Sequence, residues 1–83
     1  MNTENKEKIE AAVFRRLLDH LQDNTDLQNI DLMNLAGFCR NCLSGWYQDA
    51  AKEKDIPLSK EEARAIIYGM PYSEWKKNYQ TEN

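Results

Sequence analysis

Apolar residues return along this 83-residue chain at a helical period, interrupted at a few points by turn formers. From about Asn5 to Asp23, Ile9, Val13, Phe14, Leu17, Leu18 and Leu21 cover one broad face, with Arg15, Asp19 and Gln22 opposite. Residues 1–4 read as a frayed polar start. Asp23-Asn24-Thr25-Asp26 ends the pattern. The next helix has two possible starts: Thr25, which forms a capping box with Gln28, or Asp31, which can cap the amides of Met33 or Asn34. A short turn over 26–30 followed by a long helix from about 31 to 53 fits best. That helix must stop before Pro57, because the residue preceding a proline is pushed out of the helical region. A third helix is marked over 60–68 by a Ser59/Glu62 capping box and by Gly69 where a left-handed C-cap belongs. After Met70-Pro71, a last helix over about 73–80, capped by Ser73, carries Trp75 and Tyr79 one turn apart. The expected fold is all-α. It is a single domain over 1–83, a compact array of about four helices with a long central second helix and a short aromatic C-terminal helix folded back. Residues 81–83 are expected to fray.

The long helix has two unlike faces. On a wheel, Leu32, Leu35, Ala36, Cys39, Leu43, Trp46 and Ala50 form a core stripe with Cys42 at its edge. The other side holds Asn34, Gly37, Asn41, Ser44, Gly45 and Gln48, and Arg40 is the only charge between Leu32 and Gln48. Solvated helix faces usually carry Lys, Glu and Arg, and each interior glycine costs about 1 kcal/mol relative to alanine. Gly37, Asn41 and Gly45 therefore suggest a helix covered on both sides, by a segment of the same chain or by a second copy. A weakly polar, wet face is the plainer alternative.

Composition narrows the classes of function. Hydrophobic residues make up 41% and charged residues 30%, a globular balance. The net charge of −3 and scattered Lys and Arg argue against a nucleic-acid surface. No apolar run reaches the ~18 residues a membrane-spanning helix needs, and the polar N-terminus is no secretory signal. Two cysteines without such a signal suggest free thiols and a cytoplasmic protein.

Candidate chemistry is sparse. Cys39-Arg40-Asn41-Cys42 is a C-x2-C, but structural zinc wants four ligands and His20 is the only histidine. No cofactor is expected, and zinc on Cys39 and Cys42 with His20 is the remote exception. A redox pair belongs at a helix N-terminus, whereas these cysteines fall inside the expected long helix. Two small core residues are the simpler reading. His20, in the last turn of the first helix, suits the helix dipole better than a metal. Arg40 fits an ion pair with Asp19 or Asp23 better than an anion pocket. Tyr68, Tyr72, Trp75 and Tyr79, hosted by Trp46 and Tyr47, suit docking of the last helix on its own domain. No nucleophile, orienting base and oxyanion site come together, so no catalytic residue is expected.

The run from Asn29 through Leu32, Asn34, Gly37, Cys39, Arg40, Asn41 and Cys42 to Leu43, followed by Trp46-Tyr47, resembles the signature of the bacterial domain of unknown function 1244 family. Ile67-Tyr68-Gly69-Met70-Pro71-Tyr72 with Glu74-Trp75-Lys76 resembles its second signature, and Phe14-Arg15-Arg16-Leu17 fits as well. The resemblance spans roughly residues 8–81 and implies a short, helical, cytosolic protein. It brings no activity, substrate or catalytic residue.

These readings rank a protein-interaction module first, with the Gly37/Asn41/Gly45 face as the candidate homodimer surface. Asn34, Arg40, Trp46, Tyr47, Tyr72 and Trp75 are further interaction candidates. A thiol-redox or zinc site at Cys39 and Cys42 ranks second. Neither nucleic acid nor membrane is an expected partner.

Overall fold

A computed structural model describes residues 1–81. Five helices make up the described residues: α1 Thr3–Asp23, α2 Asn29–Ala36, α3 Arg40–Glu53, α4 Lys60–Tyr68 and α5 Tyr72–Tyr79. The all-helical expectation holds, with one helix more than counted. The first helix starts two residues early because Asn2 caps it, its side-chain oxygen accepting from the Asn5 amide at 2.8 Å. The last begins at Tyr72 behind Pro71, and Ser73 is not its cap.

The main correction concerns the long second helix, which is two helices. Gly37 adopts φ +77°, a left-handed C-cap, and its N–H returns to the Met33 carbonyl at 3.0 Å. Phe38 crosses the gap, and Cys39, in extended conformation, becomes the N-cap of α3. The first start is also earlier than expected: Gln28 is the N-cap of α2, with no side-chain capping bond. The break resets the helical phase, so a wheel drawn through it misplaces residues. Leu32, Cys39 and Leu43 are buried, whereas Leu35 is 88% exposed, Trp46 57% exposed, and Ala36 and Ala50 face solvent.

The other boundaries follow local chemistry. The Ser59/Glu62 capping box forms in both directions, at 2.9 and 3.0 Å. Its bonds, chiefly that from the Ser59 amide, hold the Glu62 carboxyl below its ordinary pKa. α3 closes with Asp55 in the left-handed region, the Asp55 N–H on the Lys52 carbonyl and the Ile56 N–H on the Ala51 carbonyl. Gly69 caps α4 at φ +75°, and a Cβ there would lie 2.8 Å from Cδ of Gln22. α1 approaches α4 that closely because Gln22 donates to the Ile67 carbonyl at 3.0 Å.

Leu18, Leu21, Leu32, Cys39, Leu43, Ile67, Tyr68 and Trp75 form the core. α3 and α4 share the largest contact, and α5 folds back so that Trp75 is enclosed. Thr81 is tied down, its N–H on Oε1 of Gln28 at 3.0 Å. The expected fraying at 82–83 lies outside the described residues.

The two glycines once grouped on one helix face now predict opposite effects. Gly37→Ala should lower stability by about 1–2 kcal/mol, the cost of a left-handed Cβ residue. Gly45 is helical with open space around it, so Gly45→Ala should raise stability by roughly 0.5–1 kcal/mol. Urea unfolding midpoints of the two variants test this, and a destabilised Gly45→Ala would mean that something covers that face.

Candidate functional site

Restarting the helix at Cys39 brings Arg40 into its first turn, facing inward with 1% exposure. The expected ion pair with Asp19 or Asp23 does not form. Nη1 donates to the Leu27 carbonyl at 2.6 Å and to Oδ1 of Asn29 at 3.0 Å. Nη2 donates to the carbonyls of Asn24, at 3.1 Å, and Leu21, at 3.4 Å. Leu21 belongs to the last turn of α1, where unpaired carbonyls and the helix dipole attract a cation. The guanidinium also lies 4.8 Å from the ring centroid of Trp75. Burial lowers the Arg40 pKa from its ordinary value.

A second layer of polar contacts surrounds this group. Asn29 accepts from the Arg40 amide at 3.3 Å and donates through Nδ2 to the Tyr68 hydroxyl at 3.0 Å. That hydroxyl donates to Oδ1 of Asn41 at 2.8 Å, and Nδ2 of Asn41 reaches the Tyr72 hydroxyl at 3.5 Å. Desolvation pushes the Tyr68 phenol up to about 12, so it stays protonated and able to donate. Ser44 returns a bond to the Arg40 carbonyl at 3.0 Å. Gln28, buried beside this network, donates to the Tyr79 carbonyl at 2.9 Å and so fixes the end of α5.

The two thiols stand at the edge of this hub. Cys39 is buried at the N-cap, and Cys42 is half-buried in the first turn of α3. Their Sγ atoms are 3.9 Å apart. The objection that the pair lies deep inside a helix is thereby removed. Among the described residues no three His, Cys, Asp or Glu side chains gather where they could hold a metal. His20 is exposed in the last turn of α1.

The predicted interaction residues separate. Arg40, Asn41, Tyr72 and Trp75 come together in the hub. Asn34 is exposed on α2, Gly37 is a backbone cap, and Gly45 has no atom within 4 Å of a would-be Cβ. The supposed Gly37/Asn41/Gly45 face is therefore not a face. Its one polar member is taken up by Tyr68 and Tyr72. Trp46 rests against Phe38 at 6.0 Å and Tyr47 against Phe14 at 6.2 Å, both partly open to solvent. Tyr72 contacts the Tyr68 ring at 5.1 Å beneath the Arg64 guanidinium at 4.4 Å. Asn29, Gln28 and Tyr68 complete the hub without having been singled out as site residues. Asn29 opens the run that carries the family resemblance, and that was the available signal.

A family model described as a protein of unknown function, DUF1244, matches residues 27–83. The chain belongs to the DUF1244 family. The match takes in α2 to α5, and with them Asn29, the two thiols, Arg40, Tyr68 and Trp75. No curated protein matches the chain. Of the Arg40 oxygens, Leu27 and Asn29 fall within the DUF1244 match, and Leu21 and Asn24 precede it.

Two predictions follow from the hub. Arg40→Met keeps much of the volume but removes every guanidinium bond and leaves the Leu27 carbonyl with no other donor among the described residues, so it should cost about 2–4 kcal/mol. Arg40→Lys should recover little, because an ammonium has neither the planar fork nor the stacking face. Thermal unfolding followed by circular dichroism measures both. The folded protein holds the Tyr68 proton more tightly than the unfolded chain does. Its contribution is therefore intact below pH 10 and is lost as pH rises from 10 toward about 12. The stability difference between wild type and Tyr68→Phe should shrink across that window, as urea titrations at stepped pH would record.

Proposed function

We propose that this DUF1244 protein is a protein-interaction module that pairs with a second copy of itself by exchanging the first half of α1. α1 runs for 21 residues, about 31 Å, yet only Leu18 and Leu21, near its C-terminal end, are fully buried. Ile9 is 51% and Val13 63% exposed, although they continue the apolar stripe of Phe14 and Leu17. Such a stripe normally lies against something. The same chain carries an apolar groove of about 300 Å³ between α3 and α4, lined by Tyr47, Ala50, Ala51, Ile56, Leu58 and Ile66. The stacked pair Phe14 and Tyr47 joins the stripe to the groove's edge.

The observation that carries the reading is that both halves of an apolar joint are open on one chain. A two-fold axis lets each copy offer its stripe to the other's groove, which closes the assembly. Lys54 is the single charged residue lining the groove. In this reading the hub of Arg40 holds the groove and the stripe in register, and no catalysis is required. The proposed place of action is the cytoplasm. Among the described residues no helix is long and apolar enough to cross a membrane.

Sedimentation velocity over a concentration series tests the proposal. The wild type should dimerise at micromolar concentration. Val13→Asp and Ile66→Asp should each give a monomer with an unchanged circular dichroism spectrum. A wild type that stays monomeric, or two folded variants that still dimerise, would remove the reading.

A further inference from the structure

Independently of the dimer, we propose that Cys39 and Cys42 are a redox-active dithiol that exchanges with an accessible disulfide. The argument rests on the restart of the helix. In the middle of a helix, side chains three apart point in directions that strain a disulfide. Here Cys39 is the N-cap, with φ −140° and ψ −176°, so its side chain is freed from the helical direction while Cys42 stays in the first turn. The Sγ atoms lie 3.9 Å apart and need only side-chain rotation to approach the ~2.05 Å of a bond. Nothing else competes for them, since both thiols are free and no third ligating residue joins them among the described residues.

Accessibility assigns the roles. Cys42 is half-buried and reachable, whereas Cys39 is 8% exposed within the core cluster. The Cys42 thiolate attacks one sulfur of the incoming disulfide, forms a mixed disulfide and expels the other sulfur as a thiolate. Cys39, having lost its proton to solvent, attacks Sγ of Cys42. The Cys39–Cys42 bond forms and the second thiolate leaves. The protein loses two electrons and two protons, and the incoming disulfide is reduced to two thiols. The order is the reverse of a pair whose first cysteine is the exposed one. Trp46 stands one turn beyond Cys42 on α3 and rests against Phe38.

The test incubates reduced protein with glutathione disulfide, or with insulin as a protein disulfide, quenches with an alkylating reagent and weighs the intact chain. Wild type should lose two hydrogens and take up no alkyl group with at least one of the two oxidants. Reaction with glutathione disulfide alone would mark a small-thiol partner, and reaction with insulin as well would mark a protein one. Cys39→Ser should trap a lasting mixed disulfide on Cys42, at least tenfold faster than Cys42→Ser traps one on Cys39. Wild type that remains alkylated twice with both oxidants overturns the proposal, and this arm needs no variant to fold. Equal trapping rates in the two variants overturn the assigned roles and with them the mechanism.

Discussion

A guanidinium removed from water must be surrounded by oxygen, and among the described residues every oxygen that Arg40 bonds is neutral. Arg40 spends its donors on three backbone carbonyls and one side-chain amide, and lays its face near Trp75. Those partners come from the end of α1, the following loop, the start of α2 and the middle of α5. One side chain therefore sets the relation of four helices whose mutual apolar contact is modest. A chain of 83 residues buries a limited fraction of its surface, so a charge with four acceptors carries unusual structural weight. That no carboxylate joins these oxygens among the described residues is physically reasonable. Several partial charges at the end of a helix can stabilise a cation without desolvating a second full charge.

The remaining polar layer depends on that placement. Asn29 is held between Arg40 and Tyr68, and Tyr68 in turn positions Asn41. Cys39 and Cys42 bracket Arg40 in sequence, so the turn that buries the guanidinium also sets the distance between the thiols. The apolar surface proposed for pairing lies further along the same face of α3, near Tyr47 and Ala51. The hub thus underlies two separable proposals, association through the groove and stripe and a dithiol at a helix start.

Much of the fold was legible in the chain. The 3.6-residue period found α1, the capping box and Gly69 found α4, and Pro57 marked the end of α3. The break at Gly37 was not legible, because the apolar period runs on through Leu35, Ala36 and Cys39 as if uninterrupted. Gly37 and Gly45 look alike in sequence, yet one takes a left-handed cap and the other a helical turn. Only tertiary contact chooses between them, here the burial of Arg40 and Cys39. The lone charge of Arg40 stands out in the sequence, but the partner it suggests is an acid. Carbonyl acceptors belong to every residue and leave no mark in a sequence. A wheel drawn through the break at Gly37 also places Trp46 and Leu35 in a core they do not enter.

The central claim, that neutral oxygens hold a buried Arg40 in one orientation, can be read directly from the side chain. Low-temperature NMR with ¹⁵N-labelled arginine resolves the individual Nη protons when a guanidinium neither rotates nor exchanges with water. Arg40 should show separate Nη1 and Nη2 resonances with slow hydrogen exchange, while the exposed Arg15 and Arg16 give the averaged signal of a free side chain. An Arg40 signal averaged like theirs would contradict the account.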